Sequence, residues 1–235
     1  MHKSSAMDKS DIATRNSPLA SQAYETLRAS IIACEISPGE KLKIDALQKV
    51  HKFSSSPLRE ALNRLVAEGL VTSDDRRGFR TAPMTSADLN DLTRCRTIQE
   101  AAAFELAIQH GDDAWEASVV AAFHQLEKVE RQINRGEAQR DDRWTHLHKT
   151  FHIALISACQ SERLISACEN HFDQSERYRR LSASVRSKSR NTVAEHKALV
   201  DCALQRDAAK ARTLIVDHIE KTAANVARYL KEKGL

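Results

Sequence analysis

The chain has 235 residues, 41% of them hydrophobic and 29% charged, with a formal net charge of +4. That length accommodates one large or two modest domains, each with its own core, and the mild positive charge permits nucleic-acid binding without demonstrating it. No run of about 20 apolar residues exists, which excludes a membrane-spanning helix. Met1 to Ser17 lacks the apolar core of a signal peptide and reads as a disordered tail. Five scattered cysteines (Cys34, Cys95, Cys159, Cys168 and Cys202) with no Cys-x2-Cys spacing fit thiols in a reducing cytoplasm better than disulfides or a zinc ribbon. Only 6 Gly and 4 Pro occur, so the expected fold class is mainly α.

In chain order, Ser17-Pro18 opens a helix that continues from Leu19 to Cys34, with Ala20, Ala23, Tyr24, Leu27, Ile31 and Ile32 on its apolar face. Ile36-Ser37-Pro38-Gly39-Glu40 is a turn. Leu42, Ile44, Leu47 and Val50 predict a short second helix. Ser54 to Val71 then reads as the second helix of a helix-turn-helix. Ser54 or Ser55 caps it, Pro57 sits in its first turn, and Leu58, Leu62, Leu65 and Val66 form an apolar stripe at helical period. Glu60 and Arg64 are spaced as an i, i+4 ion pair, and Gly69 supplies the stop. Ser54, Ser55, Ser56, Arg59 and Asn63 lie off the stripe. Hydroxyls and main-chain N–H groups there suit phosphates, and Arg59 can fork onto a guanine edge. An ordinary amphipathic helix with a serine cap is the bland alternative. Leu70-Val71-Thr72, a polar turn over 73–78 and Phe79-Arg80-Thr81-Ala82 predict a β-ribbon, whose Arg76, Arg77, Gly78 and Arg80 would flank a phosphate backbone. Three helices and a wing make a winged helix-turn-helix over residues 18–83.

The set Ile36-Ser37-Pro38-Gly39-Glu40-Lys41-Leu42, Ser56-Pro57-Leu58-Arg59-Glu60-Ala61-Leu62, Glu68-Gly69-Leu70-Val71 and Arg77-Gly78-Phe79 resembles the DNA-binding domain of the GntR family of bacterial transcription regulators. The family's recognition helix commonly begins Ser-Arg-Thr-Pro, whereas this chain has Ser54-Ser55-Ser56-Pro57, so one expected arginine is missing and Arg59 is asked to carry more. The resemblance implies a homodimer on a palindromic double-stranded operator.

Residues 84–235 read as a second, all-helical domain of about six helices at roughly 86–110, 113–135, 138–160, 162–183, 188–205 and 207–232. The first of these turns Leu89, Leu92, Ile98, Ala102 and Leu106 toward a core. His148 and His152 are spaced i, i+4 and share a helix face. His196 and His218 stand among apolar neighbours on two later helices. Two ligands on one helix and one from each of two others is how helical bundles build a buried metal site, although an exposed His pair and two core histidines remain the plainer alternative. The domain resembles the FCD ligand-binding domain, which often holds a metal through Asp-x3-His and two later histidines. His152, His196 and His218 match those histidines, and His148 stands where the aspartate is usual. With its His-x3-His form and Tyr178 downstream, the sequence looks like the subgroup of carbon-starvation regulators. A nitrogen-rich, neutral set favours zinc or nickel as the divalent ion. The resemblance further implies a small organic acid effector, with Arg96, Arg177 and Tyr178 as candidate contacts. For Arg96 an intrahelical pair with Glu100 is the competing reading, and Arg177 lies beside Arg179 and Arg180 in what resembles a solvated basic face. A regulator whose metal only stabilises the dimer is a second possibility. An enzyme is not expected, since no carboxylate lies within the His148–His152 turn and no Gly-x-Ser-x-Gly motif occurs.

Overall fold

The structure, a computed structural model, describes residues 18–74, 78–182 and 190–234. The expected tail, the wing residues Arg76 and Arg77, and residues 183–189 of the serine-rich loop lie outside the described residues. The chain forms two compact units, residues 1–84 and 85–235.

The first unit runs α1 (Leu19–Ile32), β1 (Lys41–Leu42), α2 (Ile44–His51), α3 (Ser55–Ala67), β2 (Val71–Asp74) and β3 (Gly78–Thr81). Ala23, Leu27 and Ile31 of α1 pack with Leu58, Ala61, Leu62 and Leu65 of α3, all with 0% exposure, and Leu47 of α2 joins them. Each buried leucine contributes roughly 1.5–3 kcal/mol, so this small core is carried chiefly by the α1–α3 seam. Gly69 ends α3. At φ +72° it lets its own N–H reach Val66 O (3.0 Å) and the Leu70 N–H reach Leu65 O (3.0 Å), closing off two last-turn carbonyls. Tyr24 donates to Glu68, Arg28 Nε bonds the same carboxylate at 2.9 Å, and the Arg64 guanidinium lies 3.8 Å from the Tyr24 ring centroid. The predicted Glu60–Arg64 pair therefore does not form; Arg64 stacks on an aromatic face instead.

The sheet holds three antiparallel strands in the order β1-β3-β2, with Leu42 opposite Phe79 and Ser73 opposite Phe79 on the other side. The first strand is a correction to the helical assignment of Leu42. That residue pairs with the wing rather than starting α2, and Val50, expected on the apolar face, is 70% exposed.

The second unit is a helical domain: α4 (Ser86–His110), α5 (Asp113–Asn134), α6 (Asp142–Ile156), α7 (Glu162–Leu181), α8 (Thr192–Leu204) and α9 (Ala208–Lys233). Each begins with a side-chain cap. Thr85, Asp112, Asp141, Ser161, Asn191 and Asp207 accept from the N–H three residues on, each contributing about 1 kcal/mol and each placed where the chain's polar breaks fall. The core gathers Phe104 from α4, Leu126 from α5, Phe151 from α6, Leu199 from α8 and Ile215 from α9. Trp115 Nε1 donates to Ala154 O at 2.9 Å, tying α5 to α6. Ile98 is 62% exposed, not buried as expected, because the inward stripe of α4 passes through Leu89, Leu92, Arg96 and Glu100. Among the described residues no helix is long and apolar enough to cross a membrane.

Candidate functional site

Two helix positions of α6 aim His148 and His152 into the domain, on the stripe that also carries Trp144, Phe151 and Leu155. His196 of α8 and His218 of α9 meet them from two further helices, with ring centroids 5.2 and 6.3 Å from that of His148. All four side chains are buried, at 5% exposure or less, and each offers one nitrogen such that the four lie within 4.8 Å of one another. The exposed-pair alternative for His148 and His152 is thereby removed as a description of their burial. Burial, and then the neighbouring imidazoles and Arg179, push His148 well below the ordinary histidine range. Burial and the same kind of repulsion do so for His152, and burial brings His218 down to about 3 against the opposing pull of Glu195. His148, His152 and His218 are therefore neutral near pH 7 and carry lone pairs.

Behind the ring stand two carboxylates that sequence patterns did not single out. Glu130 of α5, with its side chain 1% exposed, takes the His196 Nδ1 proton at 3.0 Å and the Thr192 hydroxyl at 3.2 Å. Burial would raise its carboxyl, but His196, Arg140 and Thr192 outweigh that and hold it below the usual range. Glu195 accepts from His218 Nδ1 at 2.8 Å and is gripped by Arg190 at 2.6 and 2.8 Å. Arg190 Nη2 also approaches His218 Nδ1 at 3.3 Å, but two donors do not bond, and the His218 carbonyl at 3.0 Å accepts that N–H. With both Nδ1 protons spent on carboxylates, His196 and His218 present Nε2 inward. His196 Nε2, both nitrogens of His152 and Nδ1 of His148 are buried without a hydrogen-bond partner among the described residues. His152 Nδ1 stands 3.8 Å from Glu100, too far for one. An uncompensated buried lone pair costs about 1–3 kcal/mol. Four rings that each offer one nitrogen within 4.8 Å of the others, with carboxylates orienting two of them, are the donor set that a divalent ion of the zinc or nickel type fits.

A cavity of about 50 Å³ opens beside the ring. His148, His196 and His218 line it together with Arg140, Arg179 and Arg190. None of the three effector candidates read from the sequence lines it. Arg96, 4% exposed, is bound to Glu100 at 2.7 Å and to Ser175 at 2.8 Å, so the intrahelical reading is the observed one. Arg177 is buried at 3% exposure, as is Arg179 at 4%, which corrects the expectation of a solvated basic face. Tyr178 turns its hydroxyl to Asp88 at 2.5 Å and to the backbone of Thr85 at 3.3 Å, at the start of α4. Burial first, then Asp88, pushes its phenol up. Arg179 does reach the cavity, one position further along the same helix. Arg140, in the α5–α6 loop, carries no periodic signal and could not have been found from spacing.

In the first unit Ser54, Ser55 and Ser56 are exposed at the N-terminal end of α3, and Arg59 and Asn63 are exposed about one and two turns further along it. Ser54 is the cap position but makes no side-chain cap bond, leaving its hydroxyl outward. Gly78 and Arg80 are exposed on β3, and Arg80 Nη1 spends one N–H on Gly39 O at 3.1 Å. Helix N-terminus, hydroxyls and arginine share one surface, which is the arrangement that binds phosphate and reads base edges.

Residues 19–80 match the family described as bacterial regulatory proteins, gntR family, and residues 91–221 match the FCD domain. The chain is 36% identical over 214 residues to the HTH-type transcriptional regulator BphR of Paraburkholderia xenovorans (strain LB400), covering 90% of this chain and 86% of that one. It is also 36% identical over 201 residues to the HTH-type transcriptional repressor GlaR of Escherichia coli (strain K12), covering 83% and 90%. Among solved structures, E. coli McbR/YncC superposes with a TM-score of 0.73 at 17% identity over 92% of this chain and 99% of that chain, a likeness of fold.

Proposed function

This chain belongs to the GntR family of bacterial regulatory proteins, with an FCD domain behind its winged helix, and from that premise we propose a repressor that senses a small organic acid through a bound divalent metal. The family membership makes it a DNA-binding transcriptional regulator and not an enzyme. The metal, the acid and the homodimer on a palindromic operator are the further reading. The observation that carries it is the ring of four buried imidazoles facing a cavity walled by arginines.

His148, His152, His196 and His218 would hold the ion, with Glu130 and Glu195 keeping two rings in the ligating tautomer. Neutral ligands leave a bound ion its full positive charge, which attracts a carboxylate into the cavity. α7 is the element that joins the cavity to the start of the domain, since Arg179 walls the one and Tyr178 fastens Thr85 and Asp88 at the other. A guest that draws on Arg179 thus biases the segment leading to the DNA-reading unit, and the effect on operator affinity equals its differential affinity for the two states. Ser54, Ser55, Ser56, Arg59 and Asn63 read the operator, with Arg80 on its backbone.

The test is binding of the zinc-loaded protein to the DNA flanking its own gene, with and without a panel of short carboxylic acids. A specific complex whose affinity changes at least tenfold with one of the acids is expected. Specific binding that no acid alters would leave a regulator whose metal has only a structural task.

A further inference from the structure

The turn that leads into α3 carries a lysine in a place that does not favour one. Lys52 follows the last residue of α2 at φ 61° and ψ 22°, the left-handed conformation that glycine adopts freely and a side chain disfavours. Its N–H closes α2 on Gln48 O at 3.0 Å. The next residue, Phe53, packs against the core of the first unit, and Ser54 is the cap position of α3. The backbone of Lys52 is thus fixed from both sides, and its exposed side chain stands three residues before Ser55, where α3 begins.

Other helix ends meet the same backbone demand differently. Gly69, Gly136 and Gly234 take positive φ just beyond α3, α5 and α9. Arg206, at φ 54° beyond α8, bonds Ile108 O at 3.0 Å and Gly111 O at 2.7 Å and pairs with Glu116, so its side chain ties the end of α8 to the α4–α5 junction. Lys52 makes no hydrogen bond or ion pair among the described residues.

The surrounding charges leave it uncompensated. From Ala46 to Arg59 the chain holds Lys49, Lys52 and Arg59 and no carboxylate. The negative pole of α2 already has Lys49 and His51 in its last turn, while the positive pole of α3 lies on the other side of Lys52 and has no acidic residue in its first turn. The first turn of α3 offers the hydroxyls of Ser55 and Ser56 and no cation, since Arg59 comes more than a turn later. A fixed ammonium beside an unneutralised helix N-terminus is placed for one anion that both can share.

Resting on α3 as the DNA-reading helix, we infer that Lys52 is a backbone contact: its ammonium takes a DNA phosphate beside the point where α3 enters the groove. The contact is independent of sequence and works alongside base reading by Arg59.

Fluorescence-anisotropy titration of the full chain tests this on two duplexes of equal length, the DNA flanking its own gene and a scrambled version of it, between about 50 and 200 mM salt. The variants are Lys52→Gly and Lys52→Asn, which suit the left-handed backbone, and Lys52→Arg, which keeps the charge. Glycine and asparagine should lower the slope of log affinity against log salt by about 1 for each head on the DNA, and weaken both duplexes alike, about three- to tenfold per head at the lowest salt. Lys52→Arg should keep the wild-type slope. The urea midpoint of Lys52→Gly should equal or exceed that of the wild type, because glycine takes this φ without strain. An unchanged slope in Lys52→Gly and Lys52→Asn would overturn the inference, and a lowered urea midpoint beside it would assign Lys52 to the C-terminus of α2. A loss confined to the duplex from its own gene would overturn it in favour of base reading. Wild-type protein that binds neither duplex would overturn the assignment of α3 itself.

Discussion

Glu130→Gln isolates the contribution of a carboxylate to a metal site it does not touch. Glutamine preserves the shape and one acceptor oxygen for the His196 Nδ1 proton, 3.0 Å away, while its amide N–H group replaces the oxygen that accepts from Thr192, whose hydroxyl can turn to accept instead. What is lost is the negative charge, in a place where the side chain is 1% exposed and water cannot replace it. A charge-assisted hydrogen bond exceeds a neutral one by about 1–1.5 kcal/mol, which sets about a tenfold loss of zinc affinity. The range for such orienting partners extends to about a hundredfold. Glu195→Gln should cost less, under tenfold. Its side chain is 19% exposed, and Arg190 already compensates its charge through two bonds. Competition for zinc against a chelator of known affinity measures both variants at one pH. The reasoning is refuted if Glu195→Gln weakens zinc as much as Glu130→Gln, or if neither moves it.

Three other substitutions divide the account into separately testable parts. Arg59→Ala should weaken specific operator binding about ten- to a hundredfold in a gel-shift titration while zinc content stays at the wild-type level, and an unchanged operator affinity would remove Arg59 from the interface. Arg96→Leu strands Glu100, whose side chain is 5% exposed, as an uncompensated buried charge, so urea unfolding should show a loss of about 3–5 kcal/mol. A stable variant that merely fails to bind acid would restore Arg96 as an effector contact. Tyr178→Phe removes the bonds to Asp88 and Thr85, and should cost about 1–2 kcal/mol in urea with zinc affinity within threefold of wild type. It should also shrink the response of operator affinity to the acid, and a full response would show that α7 is not the connecting element.

The head was readable because its signals are local. The leucines of α3 repeat at helical period, Gly69 closes the helix with a positive φ, and serine and arginine fall on the remaining face. Lys41–Leu42 was not readable, since two residues carry no period and become a strand only by meeting Arg80 and Phe79 from far along the chain. In the helical domain the capping residues announced most helix starts, but which face turns inward depends on packing. The inward stripe of α4 contains Arg96 and Glu100, a charged pair that neutralises itself, so hydrophobicity alone misdirected Ile98. The i, i+4 spacing of His148 and His152 was plain, and their place on the Trp144–Phe151–Leu155 stripe was the sign of burial available in the sequence. Glu130 offered a fainter sign, a lone acid one position after Val129 on the buried side of α5. Arg140 offered none, because a loop residue is placed by tertiary contacts, here by Trp144 and Thr192.

The central claim is that four buried imidazoles hold a divalent ion, and the metal content of the purified chain tests it most directly. Protein offered zinc and then dialysed should retain about one equivalent per chain by elemental analysis, and His152→Ala, which deletes two of the buried unpartnered nitrogens, should retain far less than half of that. Wild-type protein that keeps no zinc or nickel, or a His152→Ala variant that keeps as much as the wild type, would contradict the account and return these histidines to the role of core residues.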